Sequence, residues 1–475
     1  MGCFLALSES VSVSALAHWR HFSYPEKSKA NEKDKAMSHK TLITIYCLLV
    51  FLGSAHMKES PNTIAESIVI QDREFKTDAL PRSLKLDREL GIVLAPYLEA
   101  EIIHRARDAK RGLYEIRGTV TPKGDYLVMF PDGGHYGGAG KRGEGKVNDM
   151  LAYRSSNKGK TWEGPTVAFD IDYNQHGFIP FIPKSSERIY AFGTQPIWDM
   201  YEPETHGLSE NAPIGYRYSD DDGHTWSEVR IIRPKNDPEF RGMSVMRMTE
   251  TDSGAWLLGS HEADWSYKPI MTRQYLLRSE DQGQTWELLP GQRHGGWYAK
   301  GFNRMDEGRP INLGNGNIFF MTRTATGHLW GSWSEDDGKS WTYPKPTPLV
   351  HPDAPPMLFT LSDGKTLIAF HHNRSKIQTA DLAGNRSQHY DRSEIWFATS
   401  GDGGRNWSEP QFVFATALEP FFDNIWRDYN TSYLDAFIDD GVINIFCPHR
   451  WERVVFLQIR EVDLDKFPTR KAFLD

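Results

Sequence analysis

Histidine and arginine return at matching points along this chain. Six segments share one plan, in which a short apolar run, a turn and a second apolar run follow each other. They begin at Glu115, Gln175, Arg241, Glu307, Ala354 and Thr431. Where the first run opens stand Arg117, Gln175, His176, Arg241, Glu307, Arg309 and Tyr433. Where the second run ends stand His135, His261, Glu262, Arg323, His371, His372, Arg374, His449 and Arg450. These types suit acidic carbohydrate. An arginine fork pairs with a carboxylate through two parallel hydrogen bonds. A neutral histidine takes or gives a proton near neutral pH. The whole chain has a formal net charge of −8, so cationic groups gathered at one mouth are a local device. The same charge gives no basic field that would argue for nucleic acid.

The elements that position these residues carry their own repeat. The phrase Ser-x-Asp/Asn-x-Gly-x-(Ser/Thr/Asn)-Trp starts at Ser155, Ser219, Ser279, Ser334 and Ser400, 55 to 66 residues apart. A fixed period of that size marks a repeat architecture. The Asp or Asn side chain bonds backbone N–H groups ahead of it, and the Gly takes the positive φ of a tight turn. Each phrase therefore reads as a hairpin turn, and each apolar pair as the two strands before it. The sixth pair has no such phrase. It runs into Glu452 to Leu464, a third strand, and Glu99 to Ala106 is placed to supply the missing fourth. That pairing would leave no open edge.

At the other end, Met37 begins a short basic region, then an apolar run from Thr41 to Gly53, then the small residues Gly53-Ser54-Ala55. This reads as a signal peptide cut near Ala55, preceded by an over-extended start (1–36), so a secreted or periplasmic protein is expected. About thirteen apolar residues are too few to span a bilayer. Cys3 and Cys47 precede the cut, and Cys447 alone follows it, so the fold rests on its core without an internal disulfide. No cofactor is expected. A Zn²⁺ site from His371, His372, Cys447 and His449, or a bound Ca²⁺, is the lesser alternative, because no close Cys/His spacing with a signature is present.

The five phrases resemble the Asp-box of sialidase-like β-propellers. The resemblance implies an all-β chain, a six-bladed β-propeller over 95–475, with residues 56–94 as an extension packed on it. Seven blades is the rival count, because Glu66 to Leu94 holds strand-like stretches. It also implies that the boxes lie outside, away from a central cup where the strand openings meet. The sialidase family uses three arginines for a carboxylate, an Asp as acid/base, and a Tyr–Glu nucleophilic pair. Glu307 and Tyr433 fall where that Glu and Tyr would be. Asp132 lies near the acid position. The first arginine's place is taken by Glu115, with Arg117 displaced by two residues, about 7 Å along a strand. Near the second arginine's place only Arg323 is found, somewhat early.

His135, Tyr201 and Arg217 suggest a different chemistry. The first two lie on the exit loops of the first and second segments, and Arg217 on the strand before the second box. The spacing from Tyr201 to Arg217 resembles that of propeller-type polysaccharide lyases, the ulvan lyases and related uronate eliminases, though those generally have seven blades. The resemblance implies Arg217 as carboxylate clamp, His135 and His176 as base and orienter, and Tyr201 as base or acid. β-Elimination takes the C5 proton of a uronate and expels the C4 group. A departing sugar makes the enzyme a lyase, and departing water makes it an oligosaccharide dehydratase. Arg117, Arg241, Glu307, Arg309, His372, Arg374 and Tyr433 complete the expected substrate-binding set. Elimination on an acidic, ulvan-like poly- or oligosaccharide is the leading expectation. A sialidase-like exo-glycosidase using Tyr433, Glu307 and Asp132 is the alternative. A non-catalytic glycan-binding propeller is the third.

Overall fold

The computed structural model describes residues 62–106, 112–113, 115–133, 148–171, 177–194, 211–264, 266–267, 269–292, 294–374, 391–421 and 425–473. The segment read as a signal peptide lies outside them. Among the described residues no helix is long and apolar enough to cross a membrane.

Six antiparallel sheets carry the fold. Blade 1 runs outward through Arg117–Val120, Tyr126–Gly133, Asn148–Ser155 and Glu163–Ile171. Blade 2 runs through Ile179–Phe181, Ile189–Thr194, Ile214–Ser219 and Arg230–Ile231. Blade 3 has Ser244–Glu250, Trp256–Asp264, Met271–Ser279 and Glu287–Leu289. Blade 4 has Met305–Gly314, Asn317–Thr324, His328–Ser334 and Lys345–Val350. Blade 5 has Met357–Thr360, Leu367–His371, Glu394–Ser400 and Gln411–Thr416. Blade 6 has Asp435–Asp439, Val442–His449 and Arg453–Arg460. Each innermost strand packs against the innermost strands of its neighbours, so the sheets close a ring around an axis.

The ring is closed by Leu98–Arg105, which pairs antiparallel with Arg453–Arg460 as the fourth strand of blade 6. The expectation for Glu99 to Ala106 holds to within a residue. The stretch that could have made a seventh blade does something else. Ile92–Leu94 adds to the outer strand of blade 5, and Lys85–Asp87 adds to it in turn, making a six-stranded sheet. Second strands such as Leu127 to Phe130 and Ile318 to Met321 are buried on both faces, because each blade is covered by a blade on either side.

Every box repeats one hydrogen-bond pattern. The Ser hydroxyl donates to the Asp or Asn Oδ1 at 2.8–3.0 Å, for example Ser279 to Asp281. The Gly N–H donates back to that Ser, as Gly283 to Ser279 at 2.8 Å. The box glycine has φ between 81 and 86°, where a side chain is strained. The boxes also latch blades together. A Cβ on Gly159 of blade 1 would meet the Phe456 ring of blade 6 at 2.8 Å. Arg154 of blade 1 donates to Asp222 of the second box at 2.9 Å, and Arg278 of blade 3 to Asp337 of the fourth at 3.2 Å. Trp333 of blade 4 donates to the Gly403 carbonyl of the fifth at 2.8 Å.

The closing seam depends on Phe456, stacked on Phe446 with centroids 4.9 Å apart and met edge-on by the box residue Trp162. Phe456→Ala leaves a cavity at that seam. It should lower the unfolding free energy by about 3–5 kcal/mol, read from the urea midpoint. An unchanged midpoint would show that the seam does not hold the ring.

Candidate active site

The cup floor is built where innermost strands open. Glu307 stands at a bulge in Met305–Gly314, between the pairs Asp306/Arg323 and Arg309/Met321. Tyr433 lies two residues before Asp435–Asp439. Both hold left-handed backbone, φ 53° at Glu307 and 65° at Tyr433. Such a conformation costs on the order of 1–3 kcal/mol for a bulky residue and gathers at functional sites. Here it turns two side chains toward each other. The Tyr433 hydroxyl donates to Glu307 Oε1 at 2.8 Å. Arg323 Nη1 donates to Glu307 Oε2 at 2.5 Å and lies 3.3 Å from the Tyr433 oxygen.

Around this pair the charges are matched. Arg323 Nε donates to Asp353 at 2.5 Å and lies 3.4 Å from Asp306. Arg304 Nε donates to Asp306 at 2.8 Å. Arg392 lies over the Tyr433 ring, 5.8 Å from its centroid, and donates to Ser432 Oγ and the Asp353 carbonyl. Burial pushes the Tyr433 hydroxyl well above the ordinary phenol range, and Glu307 adds to it while Arg323 and Arg392 oppose it. Burial works against charge on Arg323, and Asp353, Glu307 and Asp306 outweigh it. Tyr433 and Arg304 keep partial exposure, while Glu307 is buried.

Two residues further along the same strands lies a second layer. Asp435 accepts from Arg247 at 3.1 Å and from the Gly118 amide at 3.1 Å, and Arg309 Nη1 lies 3.4 Å away. Burial opposes ionisation of Asp435, and Arg247, Arg117 and Arg309 more than offset it, lowering its pKa. Burial brings Arg309 down to about 10, with Arg117 adding to the effect. Arg117 donates to Glu115 at 2.5 Å, and both are buried. Arg117 and Arg309, expected as substrate ligands, thus sit beneath the floor as internal ion partners.

The other expected residues scatter. His135, His176 and Tyr201 lie outside the described residues. Arg217 is on the third strand of blade 2, paired with Ala191, its guanidinium 4.9 Å over the Phe169 ring of blade 1 and donating to the Ser227 carbonyl at 3.0 Å. The clamp expected at Arg217 thus stands in the body of blade 2's third strand, and the His135, His176 and Tyr201 expected beside it are not among the described residues. Arg241 lies between blades 2 and 3, beside Pro213, Ile232 and Phe240. His372 is buried, donates from Nδ1 to the Glu394 carbonyl at 2.8 Å, and burial lowers its pKa to about 3. Arg374 is held by Glu394 at 2.9 Å and by Asp391. Asp132 is fully buried near the end of blade 1's second strand, across from Asp149. Among the described residues no group of three His, Cys, Asp or Glu is arranged to hold a metal. Of the residues named for the lesser zinc alternative, His371 bonds the Val350 carbonyl, Cys447 the Thr431 carbonyl and His449 the Thr416 hydroxyl. The sequence reading passed over Arg392, Arg304, Asp306 and Asp353. Arg392 stands two residues before a third strand, a position outside the repeat of first-strand openings and second-strand exits.

A model of the BNR repeat-like domain matches residues 195–441. A sialidase of Bacteroides fragilis is 26% identical over an alignment covering 30% of this chain and 31% of that protein. The chain thus spans about a third of that relative's length. Among solved structures, the NanB sialidase of Streptococcus pneumoniae superposes with TM-score 0.54 at 12% identity, over 78% of this chain and 71% of that one. A Dyadobacter fermentans protein of unknown function gives 0.54 at 16% identity, over 77% and 100%. The intramolecular trans-sialidase of Ruminococcus gnavus gives 0.51 at 14% identity, over 78% and 98%. At such identities the likeness is one of fold.

Glu394 provides a pH test beside the site. It is fully buried, and burial pushes its carboxyl from 4.5 up to about 7 against the pull of Arg374. The folded state then keeps a proton that the unfolded chain releases. That stability is fully present below about pH 4.5 and is lost as pH rises through about 7. Between pH 5 and 8, wild type should lose on the order of 2–3 kcal/mol relative to Glu394→Gln, read from paired urea titrations. Parallel pH profiles would show that Glu394 is ionised throughout.

Proposed function

Because this chain belongs to the BNR repeat-like family, we propose that it is a glycoside hydrolase of the sialidase-like propellers, working through a tyrosine nucleophile. The observation that carries this reading is the Tyr433–Glu307 hydrogen bond of 2.8 Å, both residues held at positive φ, with Arg323 across the pair. The Tyr433 oxygen attacks the anomeric carbon while its proton passes to Glu307. The glycosidic C–O bond breaks, and its electrons go to the leaving oxygen, which takes a proton from the acid, the part that the sialidase likeness gives to Asp132. Water then displaces Tyr433 at the same carbon. Its proton goes to Asp132, and Glu307 returns one to the phenolate. Two displacements retain the anomeric configuration.

Arg323 has two tasks here. Its contact with Glu307 orients the base, and its charge near the phenol oxygen steadies the developing phenolate. Burial of Glu307 and Arg323 keeps both charges strongly coupled. The β-elimination reading has less support, since Arg217 faces Phe169 and the Ser227 carbonyl. Secretion, expected from the Met37 to Ala55 stretch, belongs to this proposal, as does action on glycans outside the cell.

Tyr433→Phe should lower kcat by about 10³-fold or more on aryl glycosides, and Glu307→Gln by about 10²-fold. The first product, followed by proton NMR before mutarotation, should keep the substrate's anomeric configuration. Full activity in Tyr433→Phe would overturn the proposal. A rise in ultraviolet absorbance from a new C4–C5 double bond would return the elimination reading to first place.

A further inference from the structure

Beneath the cup floor the charges do not cancel. Among the described residues the second layer holds three guanidiniums, Arg117, Arg247 and Arg309, and two carboxylates, Glu115 and Asp435. Arg117 is taken by Glu115, through Nη2 at 2.5 Å. Arg247 and Arg309 share Asp435, at 3.1 and 3.4 Å. One positive charge is left over, and it falls to Arg309, whose contact with Asp435 is the longer. Arg309 Nη1 donates to the Met357 thioether at 2.8 Å, a weak acceptor. Its Nε and Nη2 are buried and meet no acceptor among the described residues, as is true of Nε in Arg117 and in Arg247. A buried donor left unpaired is costly, and a buried charge without a counter-charge more so. Such groups in a native fold ask for an explanation, an ion among them. Burial brings the Arg309 pKa down to about 10, and Arg117 adds to the effect. Arg309 is thus still a cation at neutral pH.

We propose that a small monovalent anion of the halide class binds beneath the cup floor, against Nε and Nη2 of Arg309, as a structural ligand of the propeller axis. The inference goes beyond the hydrolase proposal and does not depend on it. Several features choose the class. One surplus positive charge calls for one negative charge. The donors on offer are N–H groups, which hold an anion and repel a metal ion. Arg309, Arg117 and Asp435 are buried, so the ion has to give up its water shell. Chloride and bromide do so far more readily than sulfate or phosphate. Water in the same place would accept the N–H bonds and leave the charge unmatched. A substrate carboxylate is not the counter-ion, because Arg309 lies buried two residues beyond Glu307 on the same strand. The ion would fix the strands that carry the cup, since Glu307 stands two residues from Arg309 and Tyr433 two from Asp435.

The test uses the full-length protein in sodium chloride, sodium bromide or sodium gluconate at one ionic strength. Gluconate carries the same charge and is too large for the site. The halides should raise the melting temperature over gluconate by about 2–4 °C, along a saturating curve. Arg309→Met removes the surplus charge and should melt alike in all three salts. Arg309→Lys keeps the charge without the forked donors and should show a weaker shift. Wild-type crystals grown in sodium bromide give a measurement that needs no variant to fold. An anomalous bromide peak in contact with Arg309 Nη2 supports the proposal. No peak there overturns it, as do equal melting temperatures in chloride and gluconate. A peak without a saturable shift marks an adventitious ion only and overturns it too. A halide shift that persists in Arg309→Met places the ion elsewhere and likewise overturns it. None of these outcomes touches the tyrosine-nucleophile reading.

Discussion

Asp435 on the propeller axis is the point at which the ring is tied together. It receives the Arg247 guanidinium of blade 3 and the Gly118 amide of blade 1, and lies against Arg309 of blade 4, while it belongs itself to blade 6. A buried charge with one partner missing is costly, and one with several hydrogen bonds is tolerated. Six strands meeting at an axis have few side chains to fill it, and here those side chains are ionic. The consequence is a rigid floor. The layer above inherits its positions from the layer below, because Tyr433 and Asp435, Glu307 and Arg309, and Glu115 and Arg117 are pairs two residues apart on three strands.

Stability and chemistry are kept at opposite ends of the blades. The boxes lie at the outer hairpins and bond the next blade through Arg154–Asp222, Arg278–Asp337 and Trp333–Gly403. Their Asp and Asn side chains are engaged by donors within the turn, Ser279 and Thr285 at Asp281 and Ser400 and Asn406 at Asp402. The cup can therefore hold two residues in left-handed backbone at some cost, since the outer latches and the closing strand Leu98–Arg105 supply the compensation. The charge pattern of the cup follows the same economy. Each arginine there is engaged by a carboxylate or a carbonyl, which holds the Tyr433–Glu307 pair in one geometry.

Some of the site was legible in the sequence and some was not, for identifiable reasons. Glu307 and Tyr433 stood out because they open innermost strands, and all such openings converge. Arg323 was visible as a second-strand exit, but its contact with Glu307 depends on the bulge in Met305–Gly314 that brings Asp306 opposite Arg323. Arg392 could not be found by comparing strand openings of the first kind, since it reaches Tyr433 from the start of a third strand. Arg217 lies in the body of a third strand, where spacing along the chain does not say which blade it meets. A third-strand residue faces the neighbouring blade, and Phe169 of that blade provides a ring for its guanidinium.

By itself the sequence determined the period, the turns and the closure. A Ser, an Asp and a Gly at fixed offsets bond mainly to their own backbone, so their outcome is local and readable from spacing. The apolar pairs between them specify strands by alternation and burial, and Glu99 to Ala106 matches the one blade lacking a fourth strand. The tertiary structure alone decided which charges meet. Glu115 with Arg117, Asp435 with Arg247 and Arg309, and Arg323 with Glu307 and Asp353 come together through bulges, left-handed residues and the ring's curvature. Coulomb energy falls with distance and with exposure, and neither is written in the order of residues.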